Sequence, residues 1–165
     1  MSDIEDLATE LLSAFQARGL KLATAESCTG GMLGATITEI SGASDVFDRG
    51  FITYSNEAKT EMLNVTSETL AAHGAVSEQT ACEMAVGALA HSHADIAVSV
   101  TGIAGPGGGT AGKPVGLVWF GLAGKQREAT AVKRIFSGMT RTAVRRESAR
   151  VALELARDAA YATRP

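Results

Sequence analysis

The feature that most restricts how this chain can fold is the change of character at Glu26-Ser27-Cys28-Thr29-Gly30-Gly31. An apolar run from Leu20 to Ala25 stops there, and an amphipathic pattern runs from Gly30 to about Ile40. Apolar run, small polar residues, paired glycines and helical periodicity together read as strand, tight turn and helix. A turn of that kind places Ser27 and Cys28 at the carboxyl end of a strand, where open α/β sheets bind ligands. Glycines let a ligand approach the backbone, and the helix start offers N–H groups to an anion. The same residues also fit a plainer reading, in which Ser27 or Thr29 only caps the helix.

The rest of the chain extends this α/β pattern. Asp3 caps a first helix whose Ile4, Leu7, Leu11, Leu12 and Phe15 share one face, and Gly19 ends it. Val46-Phe47 and Gly50 to Tyr54 read as extended, with a kink at Asp48-Arg49. Ser55, Ser67 and Ser77 read as caps of three helices, the last running from Glu78 to His91. Asp95 to Thr101 is a continuous apolar run of strand length, as expected for a strand buried on both faces. Val115 to Leu122 and Ala129 to Phe136 form a hairpin across Gly124-Lys125-Gln126. Thr140 opens a long final helix from Arg141 to Tyr161. The order α-β-α-β-α-α-α-β-β-β-α predicts a three-layer α/β/α fold on a mixed, mostly parallel sheet of about five strands. At 165 residues without an internal linker, one domain over 1–165 is expected.

Composition excludes several classes of function. A formal net charge of −3 supplies no global attraction to nucleic acid or anionic lipid. No apolar run reaches bilayer length, and the acidic start Met1-Ser2-Asp3-Ile4-Glu5-Asp6 is not a secretory signal. Cys28 and Cys82 do not make a disulfide framework, which fits a reducing cytoplasm. Neither a membrane nor a nucleic-acid partner is expected, and a homo-oligomer is left open.

For chemistry, Ser27 needs a base beside it. His73, His91 and His93 all sit at helix ends, away from the glycine-rich turns, which disfavours a Ser-His-Asp triad. His91 and His93 lack a clustered Cys or carboxylate to complete a metal site, so no metal is implied. Lys59, in Tyr54-Ser55-Asn56-Glu57-Ala58-Lys59, follows a second strand-end, cap and helix arrangement. Burial and a positive helix end would depress its pKa and leave a neutral amine near physiological pH. Ser-Lys pairs are a known variant of triad logic. Cys28 is a rival nucleophile, because a helix N-terminus stabilises a thiolate. Side-chain alternation near a strand end turns only one of Ser27 and Cys28 to the site. Thr101 roots a loop, Gly102 to Gly109, whose five glycines allow N–H groups to form an oxyanion or phosphate nest. Arg141 and Arg145 share a face at the start of the last helix, where basic residues are unfavourable unless an anion binds.

Several segments in order and spacing resemble the CinA C-terminal domain family, in its stand-alone nicotinamide-nucleotide amidohydrolase (NMN deamidase) form. They are Ala25-Glu26-Ser27-Cys28-Thr29-Gly30-Gly31, Tyr54 to Lys59, His73-Gly74-Ala75-Val76-Ser77, Thr101-Gly102-Ile103-Ala104-Gly105-Pro106 and Lys113-Pro114-Val115-Gly116. The resemblance covers nearly the whole chain. It implies hydrolysis of the carboxamide of nicotinamide mononucleotide to nicotinate mononucleotide and ammonia, in bacterial pyridine-nucleotide salvage, without metal or organic cofactor. It places the nucleophile on Ser27 and the lysine on Lys59, with Tyr54 as a further catalytic group. Substrate binding falls to Thr29, Gly30, Gly31, Thr101, Gly102, Arg141 and Arg145. The family arginine best matches Arg145, with Arg141 also in pattern; Gly138-Met139-Thr140-Arg141 stands where the family often shows Gly-Asp-Arg. The alternatives are a non-catalytic nucleotide-binding regulatory module and another small amidase.

Overall fold

A computed structural model describes residues 3–164. The elements follow in the order α1 (Ile4–Gln16), β1 (Leu22–Glu26), α2 (Met32–Thr38), a 3-10 turn (Ala43–Asp45), β2 (Phe47–Ile52) and α3 (Asn56–Leu63). Then come α4 (Ser67–His73), α5 (Glu78–Ala90), β3 (Ile96–Gly102), β4 (Leu117–Gly124), β5 (Arg127–Ile135) and α6 (Arg141–Ala162). The sheet order is β2-β1-β3-β4-β5. The pairs β1–β2 and β1–β3 are parallel, while β3–β4 and β4–β5 are antiparallel. Four strands therefore point one way, and β4 alone runs against them. The expected kink at Asp48-Arg49 is a bulge: Leu22 pairs Phe47 and Ala23 pairs Arg49, so Asp48 is skipped.

The central strands sort their side chains by size. Leu22, Ile96, Val98, Val100, Val118 and Phe120 face a core built with α1, α2 and α6. Ala23, Ala25 and Ala97 face α3, α4 and α5, against Leu63, Met84 and Ala88. Both faces are covered, which is why β1 and β3 read as unbroken apolar runs. The small side chains on the second face let α5 lie close to the sheet. Ser99 donates to the Ala81 carbonyl at 2.6 Å and accepts from the Gly121 N–H at 3.0 Å, joining α5, β3 and β4 through one buried hydroxyl.

Capping follows the sequence in most places. The side chains of Ser55, Ser77 and Thr140 accept from the N–H three residues on. Thr66, not Ser67, caps α4. The helix expected from Gly30 to about Ile40 spans Met32–Thr38; its start is delayed because Gly30 and Gly31 are left-handed, with φ of 58° and 103°. Its N-cap, Gly31, has no side chain to offer, so the cap must come from elsewhere.

Candidate active site

The carboxyl ends of β1, β2 and β3 meet at one rim of the sheet. Parallel pairing brings them there together: Glu26 lies opposite Ile52 on one side and Val100 on the other. A cavity of about 270 Å³ opens at this rim, bordered by Ser27, Tyr54, Lys59, Thr101, Arg141 and the loop from Gly102 to Gly108.

Lys59 is the centre of the site. It is 1% exposed, among the most buried large side chains of the protein. Its Nζ donates to the Ser27 hydroxyl at 3.0 Å, the Thr53 carbonyl at 2.9 Å and the Tyr54 carbonyl at 3.1 Å. Desolvation lowers its pKa to about 8, opposed by the charge of Cys28. Roughly a tenth of the amine is then neutral at pH 7. In that form it holds two hydrogens and one lone pair. Two carbonyls are present to take the hydrogens, which directs the lone pair to the hydroxyl of Ser27. The geometry is that of a base poised on an alcohol.

Ser27 is fixed through its backbone. Its N–H donates to the Val100 carbonyl at 2.9 Å, and its own carbonyl accepts from Gly30 at 3.1 Å. Cys28 also borders the cavity, contrary to the expected alternation, because it already lies beyond the end of β1. Burial pushes its thiol up to about 11, so the helix start does not make it a thiolate.

Other anticipated residues occupy different stations. Thr101 lines the cavity, while its hydroxyl donates to the Ala75 carbonyl at 2.7 Å and ties the segment before α5 to β3. Gly102 also lines it and abuts β4, so that a Cβ there would lie 2.6 Å from the Val118 side chain. Thr29 and Gly31 do not border the cavity, and Gly30 lies beside the Arg145 guanidinium. Arg145 donates to the carbonyls of Cys28 and Thr29, each at 3.0 Å. It faces the turn, whereas Arg141 faces the cavity. Arg141 donates to the Gly105 carbonyl at 2.8 Å and the Tyr54 hydroxyl at 3.1 Å. Tyr54 is 61% exposed at the mouth, and its hydroxyl is not within hydrogen-bond contact of Lys59 or Ser27.

The expected anion cradle at the start of α2 is filled from within. Glu26, 2% exposed, accepts from the Thr29 hydroxyl at 2.6 Å and from the N–H groups of Gly31, Leu33 and Gly34 at 3.2, 2.9 and 3.0 Å. A ligand anion would have to displace this carboxylate. The clue in the sequence was a lone carboxylate ending an apolar strand, just before a helix opened by two glycines that cannot cap it. The Gly102 loop differs: among the described residues, no backbone N–H from Ala104 to Gly109 has an acceptor. Also among the described residues, no three His, Cys, Asp or Glu side chains are grouped to share a metal ion.

Fold and rim together define a protein of the α/β class with a serine and a buried lysine in contact at the sheet's switch point. The chain belongs to the CinA C-terminal domain family, whose model matches residues 4–160. It is 52% identical over 153 residues to the nicotinamide-nucleotide amidohydrolase PncC of Escherichia coli (strain K12), covering 93% of this chain and 92% of that protein. It is 59% identical over 120 residues to a CinA-like protein of Chloroherpeton thalassium, covering 73% of this chain and 28% of that longer protein. The crystal structure of the competence/damage inducible protein CihA from Agrobacterium tumefaciens has a TM-score of 0.91 at 50% identity, covering 94% of each chain.

Proposed function

We propose that this protein hydrolyses the carboxamide of nicotinamide mononucleotide to nicotinate mononucleotide and ammonia, through an acyl-enzyme on Ser27. The carrying observation is the 3.0 Å contact between the buried Lys59 amine and the Ser27 hydroxyl. Kinship with the Escherichia coli nicotinamide-nucleotide amidohydrolase over nearly the full length supports the substrate.

In this reading neutral Lys59 takes the Ser27 proton as Oγ bonds to the amide carbon. The carbonyl π pair moves to oxygen, and N–H groups of the loop after Gly102 receive it. Removing one such donor typically costs about 3 kcal/mol of barrier stabilisation. Lys59 then returns its proton to the nitrogen, the C–N bond breaks, and ammonia leaves. Water, deprotonated by Lys59, cleaves the resulting ester and frees the carboxylate, and the proton returns to Ser27. Arg141 binds the 5′-phosphate at the cavity mouth and Tyr54 orients it; Arg145 holds the turn that carries Ser27. The natural setting is pyridine-nucleotide salvage in a bacterial cytoplasm.

Ammonia release from nicotinamide mononucleotide tests this. The parent should turn over, while Ser27→Ala and Lys59→Met should each lose at least a thousand-fold in kcat. Full activity in Ser27→Ala, with loss in Cys28→Ala, would move the nucleophile to the thiol. An inactive parent that binds the nucleotide would make the protein a binding module.

A further inference from the structure

We infer that Glu26 is a positioning residue for Ser27: its carboxylate sets the turn that aims the hydroxyl at Lys59. This inference rests on the reading of Ser27 and Lys59 given above. Glu26 is nearly inaccessible, yet among the described residues it has no ion-pair partner, and its side chain accepts there from the hydroxyl of Thr29 and from three backbone N–H groups. Burying a carboxylate is unfavourable unless such donors surround it. A simple helix cap would need only a neutral serine or asparagine oxygen.

Two ties connect Glu26 to the reacting pair. Its carboxylate grips residues 29 to 34, immediately after Ser27. Its main-chain carbonyl accepts from Thr53 at 2.8 Å, and the Thr53 carbonyl in turn holds the Lys59 amine. One residue thus fixes both the turn bearing the alcohol and the strand end bearing the acceptors of the base. Arg145 completes the arrangement from the other side. It takes the carbonyls of residues 28 and 29, while Glu26 takes N–H and O–H groups of residues 29 to 34. The turn is held between a full negative and a full positive charge, each facing backbone groups of opposite partial charge. In Glu26→Gln the amide nitrogen would confront at least one of these donors, and the turn would relax.

The test uses the whole 165-residue chain, at a temperature where circular dichroism shows each variant folded. Ser27 is labelled with phenylmethylsulfonyl fluoride and followed by mass spectrometry as a function of pH, alongside kcat and KM for nicotinamide mononucleotide. For Glu26→Gln we expect labelling and kcat to fall by at least ten-fold. KM should stay within three-fold, and the pH midpoint of labelling should remain that of the parent, because geometry changes and the basicity of Lys59 does not. Labelling within two-fold of the parent overturns the inference, as does a rise of KM in step with the loss of kcat. A parent that is not labelled at Ser27 defeats the Ser–Lys reading itself, a distinct result. If Glu26→Gln does not fold, Thr29→Val removes one donor only. It should slow labelling at least three-fold at unchanged KM, and no slowing overturns the inference.

Discussion

At the level of single residues, Lys59 carries the sharpest physical consequence. Its folded pKa of about 8 lies below the ordinary lysine value of 10.5. Between those values the unfolded chain binds more protons than the folded one, so stability rises with pH across that window. Below pH 8 the fold bears the full penalty of charging a desolvated amine, about 3 kcal/mol. Urea midpoints of the parent should therefore climb between pH 8 and pH 10 relative to those of Lys59→Met. Parallel curves would show that Lys59 titrates as an ordinary lysine. Activity should rise with a midpoint near pH 8 for the same reason. The sequence exposed Ser27, Cys28 and Lys59 as candidates, because their residue types and strand-end contexts are local. It did not choose between serine and thiol. Burial bears on that question only in the folded protein, where it raises the Cys28 thiol to about 11 and lowers Lys59.

At the level of elements, periodicity and caps gave the order of helices and strands, down to Ser55, Ser77 and Thr140 as N-caps. Ends were less legible. α2 starts later than its periodicity indicates, because two left-handed glycines delay it and the cap is a carboxylate from the preceding strand. The closeness of α5 to its neighbours was also hidden, since alanine and glycine in a helix do not announce what they touch. A Cβ at Gly87 would lie 2.0 Å from the Leu63 carbonyl oxygen. Gly87→Ala should thus destabilise the protein by about 2 kcal/mol or more despite its better helix propensity, through displacement of α3 from α5. Denaturant unfolding measures this. A neutral or stabilising effect would mean that α3 yields without loss of packing.

On the scale of the whole molecule, the cavity is assembled from distant pieces of chain. Arg141, from the last helix, reaches Tyr54 after β2 and Gly105 after β3. Arg141→Ala should raise KM for nicotinamide mononucleotide at least ten-fold with a smaller change in kcat, as steady-state kinetics would show; a KM unchanged within two-fold would remove Arg141 from phosphate binding. By itself the sequence determined the α/β class, the strand–turn–helix units and the family, because hydrophobic period, turn chemistry and motif spacing are properties of neighbours along the chain. Only the tertiary structure decided which arginine faces the cavity, that Glu26 and not a ligand fills the start of α2, and that Lys59 lies against Ser27. Those outcomes depend on parallel strand order and on the exclusion of water from a shared rim. Contacts between residues tens of positions apart, and the dielectric around them, exist only once the layers have closed.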